Sequence, residues 1–357
     1  MEIAVSPGAV EKYKKQLVLW LFFGCFLVFG MVVVGGITRL TGSGLSITEW
    51  DVVTGTIPPL TETGWQAEFD KYKQIPQYAQ VNAHFTLEDF KFIYFWEYIH
   101  RLFGRLIGLV FIAGFVYFIF RRAIPGTLFP SLIFMFILGG IQGFLGWYMV
   151  KSGLTHNIRV SHFRLAVHLT FAFITFGYIF SVALGQIFNR RCSNDRLLAP
   201  YRSVASVFLV LLVLQIIYGA FVAGTKAGWV YNTWPSMDGA WMPVSVSYSW
   251  EKDGWPSLFN NIASIQFIHR MLAYLLVAFI SVFAFTVLRL QHLDASQRRA
   301  VSFLLAGLIG QVLLGILTLV MVVPVWMGVA HQAMAFLLFG AVIYLIHRFK
   351  FKASPSS

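Results

Sequence analysis

The sequence predicts an all-α membrane protein with eight transmembrane helices arranged in two similar halves. Only 12% of the 357 residues are charged and 58% are hydrophobic, whereas a soluble domain carries about 25% charged residues. The mean hydropathy is +0.71. Short motifs also recur in the same order in both parts of the chain, which is typical of a duplicated bundle.

Eight largely apolar stretches are long enough to cross a bilayer, which requires about 20 residues per helix. They cover residues 16–36, 98–120, 128–150, 162–187, 203–223, 262–288, 300–323 and 326–347. Because the number of spans is even, both termini are expected on one side. The first span is too long for the apolar part of a cleaved signal, so we expect Met1 to be retained.

Lysine and arginine gather in the short connections and near the termini. The basic connections are Arg121-Arg122, Arg190 to Arg202, Arg289 to Arg299 and the tail Arg348 to Lys352. Positive charge beside a membrane helix marks the cytoplasmic side. We therefore expect both termini in the cytoplasm and the chain in the inner membrane of a bacterium. This topology explains the net charge of +12 without a nucleic-acid partner.

The chain has two cysteines, Cys25 in the first span and Cys192 in a predicted cytoplasmic loop. Neither lies on the oxidising side, so no disulfide is expected. The same count excludes an all-cysteine iron–sulfur cluster and a cysteine zinc site within one chain. Metal chemistry therefore has to depend on histidine.

A repeat with a period of four helices is visible in the motifs. The aligned pairs are His100 with His269, Gln142 with Gln311, and His168 with His331. Repeats of four helices run parallel, so we expect a pseudo-twofold axis along the membrane normal. The predicted halves are residues 1–190 and 191–357, each a four-helix bundle.

Four of the nine histidines lie inside predicted spans and recur between the halves. They are His100, His168, His269 and His331. An ionisable side chain at membrane depth is costly and points to a function. Two facing imidazoles can hold a haem iron inside a bundle, so the sequence predicts two haem sites toward the outer face. For a single histidine, the alternative is a hydrogen bond between helices.

The residues that follow these histidines favour haem over a bare metal ion. Arg101 and Arg105 in the N-terminal half, and Arg270 in the C-terminal half, can form bidentate pairs with haem propionates. The alternative is that these guanidinium groups only reach the membrane surface. Gly104 would allow a flat macrocycle to approach the backbone. Zinc or copper would require additional ligands at the same depth.

The two predicted sites differ at one position. Glu97 precedes His100 by three residues and shares its helix face, whereas Gln266 occupies the matching place before His269. A carboxylate beside a dry pocket can move protons or stabilise positive charge. The alternative is an interfacial glutamate in contact with water. The asymmetry predicts an active N-terminal site and a C-terminal haem that transfers electrons.

The chain resembles the haem A synthases, the membrane enzymes that convert haem O to haem A for cytochrome oxidases. The motifs behind this resemblance are GGITRLTGSGLSITEW from Gly35, EYIHRLFGRLIG from Glu97, GWYMVKSGL from Gly146, HLTFAF from His168, YNTWPSMDG from Tyr231, FIHRMLAY from Phe267 and HQAMAF from His331. They cover nearly the whole chain in the family's order. Some members carry a cysteine pair in the outer loops, which this chain lacks, so thiol-based reduction or transfer is not expected.

The resemblance implies that His269 and His331 ligate a resident haem b as cofactor. It implies that His100 and His168 flank the substrate haem O, and that Glu97 is catalytic in oxidising the C8 methyl group to a formyl group. The expected partners are haem O synthase, cytochrome oxidase assembly factors and further copies of the chain.

Two other functions use the same features. A di-haem b membrane cytochrome would pass electrons without modifying haem, and it would use the four histidines symmetrically. A transporter would also fit parallel repeats, but it predicts charged or helix-broken sites near the midplane, where the sequence has few such residues.

Overall fold

The computed structural model describes residues 6–50, 54–154, 158–188 and 198–350. Within these ranges every regular element is a helix, and eight helices are long and apolar enough to cross a membrane, as predicted. They are α1 (Pro7–Leu40), α3 (Leu87–Phe120), α4 (Phe129–Leu154), α5 (His162–Ile187), α6 (Ala199–Thr225), α10 (Ile262–Leu288), α11 (Ala295–Val320) and α12 (Val325–Lys350). Cys192 and the boundary between the predicted halves lie outside the described residues.

Shorter helices occupy the two longest connections. They are α2 (Glu62–Tyr72), α7 (Ala227–Val230), α8 (Val244–Asp253) and α9 (Ser257–Asn260), with a 3-10 turn at Thr54–Thr56 and a π-turn at Tyr78–Asn82. Both long connections lie at the end of the bundle where α1 and α6 terminate, which we call the loop end. Residues 158–161 and 321–324 lie at the same end, and the beginning of α1 and the end of α12 lie at the other.

The helix α3 begins earlier than its apolar stretch indicates. Thr86 and Asp89 form a capping box, because the Asp89 backbone N–H donates to Thr86 Oγ1 and the Thr86 N–H donates to the Asp89 carboxylate. The first loop was expected to extend to about Glu97. It ends at residue 86 instead, so Glu97 lies well inside the helix.

The helix α2 packs on the beginning of α3 and orders the first long connection. Phe69 and Tyr72 of α2 are buried against Phe90 and Tyr94 of α3. The Tyr72 hydroxyl donates to Gln77 Oε1 (3.1 Å) and accepts from Asn82 Nδ2 (2.7 Å). Burial raises the pKa of Tyr72 to about 12, so the hydroxyl keeps its proton at physiological pH.

An aromatic cluster joins the first four membrane helices to the last four. The ring of Phe336 in α12 packs against Phe176 and Phe173 of α5, with centroids 4.1 Å and 5.0 Å apart. Each such aromatic pair contributes about 0.5–1.5 kcal/mol beyond its buried area.

Cys25 is a free, buried cysteine in α1. The pseudo-twofold axis stays a prediction.

Gly177 is the close-packing point between α5 and α12. A Cβ atom at this position would lie 2.9 Å from Ile343 Cδ1 and 3.0 Å from Phe339 Cε1. We expect Gly177→Leu to destabilise the detergent-solubilised protein by about 1–3 kcal/mol through overpacking, measured as a lower thermal midpoint. Gly185→Leu is the matched control on the same helix, because nothing lies within 4 Å there. Equal midpoints for the two variants would contradict this packing.

Candidate functional site

The four predicted histidines form two pairs, each within one set of four helices. His100 lies on α3 and His168 on α5; His269 lies on α10 and His331 on α12. The rings of each pair are close enough to interact electrostatically. All four imidazoles are half-buried. The structure therefore brings together the pairs that the sequence predicts.

Each imidazole stands against a glycine of a neighbouring helix. A Cβ atom built on that glycine would lie 2.8–3.2 Å from the nearest ring atom in all four cases. The contacts are Gly35 with His100, Gly146 with His168, Gly219 with His269 and Gly315 with His331. Any larger residue would force the ring to move, so these glycines define the space that the imidazoles occupy.

Three of these glycines are preceded, one helical turn earlier, by a glutamine whose amide faces the same histidine. Gln142 Nε2 lies 3.3 Å from His168 Nδ1, and Gln311 Nε2 lies 3.3 Å from His331 Nε2. Gln215 Nε2 lies 3.4 Å from His269 Nε2 and donates to the His269 carbonyl. A histidine that binds a metal donates its other ring N–H to an acceptor, and the acceptor of each glutamine side chain is its buried Oε1, which has no partner among the described residues. In the sequence, Gln142 and Gln311 are visible only as repeat markers and Gln215 was not predicted, although the pattern Gln-x-x-x-Gly is present in all three helices.

The C-terminal pair also has the donor atoms that a haem iron requires. Nδ1 of His269 and Nδ1 of His331 are buried and have no hydrogen-bond partner among the described residues. An unpaired buried nitrogen is costly, and an axial iron bond would satisfy it. With a glycine behind each ring, the residues of this pair fit a bis-histidine haem.

Glu97 is buried and its carboxylate is fully engaged. Oε2 accepts hydrogen bonds from Ser46 Oγ (2.7 Å) and the Ile47 backbone N–H (2.9 Å). Oε1 accepts from Arg101 Nη2 (2.7 Å) and Nε (3.1 Å). Only 2% of the Glu97 surface is exposed, which contradicts an interfacial glutamate bathed in water. Glu97 therefore ties the first loop to α3, one turn from His100.

The arginines beside the histidines bind the backbone of the long loops. Arg101 Nη1 donates to the Glu49 carbonyl (2.6 Å) and Nη2 to the Ile47 carbonyl (2.7 Å), and its guanidinium lies over the Trp50 ring. In the other set of helices, the guanidinium group of Arg270 donates in the same way to the carbonyls of two loop residues. These are Tyr231 (3.0 Å) and Ser236 (3.2 Å). Sequence analysis did not indicate this role.

The other predicted site residues have different surroundings. Arg105 is half-buried one turn along α3, within electrostatic reach of Arg101 and Tyr98. Gly104 was expected beside a macrocycle, but its Cβ position lies 3.3 Å from Met31 Cε of α1. Gln266, the counterpart of Glu97, is buried and donates to the Tyr231 carbonyl (3.4 Å).

Comparisons with known proteins show the family of the chain. A family model described as "Cytochrome oxidase assembly protein" matches residues 18–343. A "Heme A synthase" of Flavobacterium psychrophilum is 48% identical over 342 residues, which cover 95% of this chain and 99% of that protein. The "Heme A synthase" of Parvibaculum lavamentivorans is 44% identical, covering 98% of this chain and 99% of that protein.

The glycine contacts generate a test of the C-terminal pair. In Gly315→Ala, the new Cβ would lie 2.8 Å from His331 Cε1, so the ring has to shift. We expect about tenfold weaker haem binding, measured as the haem-to-protein ratio and the bis-histidine absorption of purified protein. Gly310→Ala on the same helix is the control, because its new Cβ meets only the flexible end of Met334. Full haem occupancy in Gly315→Ala would refute the proposal that the contact between Gly315 and His331 positions this ligand.

Proposed function

This chain belongs to the cytochrome oxidase assembly protein family, and from that premise and its haem A synthase relatives we infer that it is an enzyme that makes haem A. We propose that it oxidises the C8 methyl group of haem O to a formyl group, as an oxidoreductase acting on CH or CH2 groups. In this proposal His100 and His168 receive the substrate haem O. His269 and His331 hold a resident haem b.

The observation that carries the proposal is the set of two histidine pairs, each ring backed by a glycine. Two sites with bis-histidine geometry suit one tetrapyrrole that is modified and one that stays bound. When bound, the resident haem supplies one-electron transfer. The chain itself orients the macrocycles, encloses them and holds the loops that cover the sites.

The two sets of helices differ in how closed they are, which supports different roles. Gly139, Gly140 and Gly143 of α4 face open space. The residues aligned with them in α11 are Leu308, Ile309 and Val312. The contact between α3 and α4 is also sparser than that between α10 and α11. An opening toward the membrane suits an apolar substrate that enters and leaves, and a closed bundle suits a permanent haem.

A cavity leads from this opening toward Arg101. It has a volume of about 420 Å³ between Trp50 and the α4 residues Gly140, Gly143 and Trp147. A second cavity of about 300 Å³ shares Trp50 and Trp147 and reaches Arg101. The two depressions therefore lie beside Arg101, Trp50 and Trp147 on the α4 side of the first loop.

The ligand-binding histidines also differ in how firmly they are held. His168, His269 and His331 each face a glutamine amide. His100 makes no side-chain hydrogen bond to any described residue, and Met31 occupies the place of the glutamine, four residues before Gly35. A less constrained ligand suits a site that exchanges its haem.

We assign Glu97 a positioning role in this reaction. Its carboxylate holds Ser46, Ile47 and Arg101 in one network, and that network keeps the first loop over the His100 site. Gln266 has only a single, longer hydrogen bond at the matching place. The proposed catalytic effect of Glu97 therefore acts through the loop and Arg101.

The proposed location is the bacterial inner membrane, with both termini in the cytoplasm and both haem sites toward the outer face. This follows from the distribution of lysine and arginine. Haem O synthase would supply the substrate, cytochrome oxidase assembly factors would receive the product, and self-association of the chain stays a proposal.

The decisive experiment is expression in a host that makes haem O but no haem A, followed by chromatography of the extracted haems. We expect a formyl-bearing haem A peak that is absent without the protein. Haem O recovered unchanged from protein that carries haem at both sites would instead favour a di-haem cytochrome.

Variants of the histidines should separate the two sites. We expect His331→Ala to lose the resident haem b, because one axial ligand is removed. His168→Ala should retain that haem and lose binding of haem O. Absorption spectra of purified protein, recorded before and during titration with haem O, measure the resident haem b and the binding of haem O. Loss of the resident haem in His168→Ala, with retention in His331→Ala, would reverse the assignment.

For Glu97, we expect Glu97→Ala to keep the resident haem but make no haem A. Hydrogen exchange in residues 43–50 should rise at the same time, because the loop loses its anchor. Gln266→Ala is the matched control and should leave exchange in residues 43–50 unchanged. Normal conversion in Glu97→Ala would contradict the role, and lost conversion with an undisturbed loop would indicate direct participation in the chemistry.

A further inference from the structure

Three cations meet at the loop end where α1, α5 and α6 come together. Arg39 is in the last turn of α1, Arg159 precedes α5 and Lys226 follows α6. They are close enough to repel one another electrostatically. The packing of the helices explains the proximity, because Gly224 of α6 lies directly against the backbone of His162, the first residue of α5.

In the part of the chain that the structure describes, these cations have no acidic partner. Among the described residues, no carboxylate lies within ion-pair distance of any of the three, and none of their side chains makes a hydrogen bond. Lys71, at the same end, is by contrast neutralised by Glu49 and Glu68. Partial burial, Arg159 and Arg39 lower the pKa of Lys226. Concentrated positive charge without a counter-charge is unfavourable until an anion binds.

Arg39 lies on the face of α1 that contacts the N-terminal histidine pair. It follows Gly35 by four residues, and residues four apart share one helix face. The Cβ position of Gly35 is 3.2 Å from His100 Nε2. Arg39 is half-buried one turn from this contact toward the loop end. A ligand held by His100 would therefore meet Arg39 at its edge.

The arginine next to His100 has few donors left for a ligand. The guanidinium of Arg101 is committed to Glu97 and to two loop carbonyls, whereas Arg270 donates to two loop carbonyls and its Nε has no partner among the described residues. The carboxylate groups of a tetrapyrrole need other cations. Arginine is well suited because its planar fork binds a carboxylate with two hydrogen bonds.

We propose that Arg39, supported by Arg159 and Lys226, binds the propionate carboxylates of the tetrapyrrole held by His100 and His168. The assignment rests on the proposed function for the identity of that tetrapyrrole. In this proposal Arg39 is a binding residue of the substrate site, although it lies on α1 and not beside His100 as Arg101 does. Arg159 and Lys226 come from the neighbouring connections, so the site also joins the two sets of helices.

The test compares haem O with its dimethyl ester, which lacks both negative charges. Each is titrated into purified full-length protein that retains its resident haem, and the Soret absorption reports binding. We expect Arg39→Gln to weaken binding of haem O about tenfold, the effect of losing one charge-assisted contact. Binding of the ester should change little. Arg164→Gln is the control, because it removes a charge at the same end whose guanidinium binds the Tyr148 carbonyl.

Equal losses for haem O and its ester in Arg39→Gln would overturn the proposal, as would unchanged binding of both. Extracted phospholipid is measured in the same preparations. If Arg39→Gln loses bound phospholipid while haem O affinity is unchanged, the cluster binds a lipid phosphate and the proposal is wrong. Formation of haem A is measured separately. If wild-type protein binds haem O more tightly than the ester but forms no haem A, the proposed function is refuted and the carboxylate site is still supported.

Discussion

The contact between an imidazole and a glycine on the next helix is the constraint on which the rest of this structure depends. A polar ring inside an apolar bundle has to be enclosed on one side and open to its ligand on the other. Glycine provides the enclosing side, because it allows the helix backbone to approach the ring without an intervening side chain. The same contact occurs at all four histidines. The spacing of α1, α4, α6 and α11 from their neighbours follows from it.

The long loops at the loop end are attached by one arginine on α3 and one on α10. Arg101 and Arg270 hold loop carbonyls, so each long loop is attached at the level of a histidine pair. Only the first loop is also held by a buried carboxylate, Glu97. A charge-assisted network is stronger than the single amide contact of Gln266. The chain thus covers the proposed substrate site with its more strongly attached loop.

Because Arg101 and Arg270 bind loop carbonyls, other cations are needed to bind the carboxylates of a tetrapyrrole. Arg39, Arg159 and Lys226, for which the described residues offer no acidic partner, lie at the ends of α1 and α6 and before α5. Gly139, Gly140 and Gly143 leave open space along α4, whereas the aligned positions of α11 carry larger side chains. This difference supports the proposal that the first set of helices holds the exchangeable haem and the second set the permanent one.

The sequence by itself determined the eight spans, the four paired histidines, the Glu97 and Gln266 asymmetry, and the family. These depend on local composition and spacing, which need no knowledge of which helices touch. Only the tertiary structure decided which glycines stand against the rings, that Gln215 faces His269, and that Arg101 and Arg270 bind loop backbone. It also placed Glu97 inside α3, because a capping box starts the helix outside the apolar stretch. Such contacts join residues far apart in the chain, and their donors and acceptors include backbone groups that every residue carries, so no pattern of side chains specifies them.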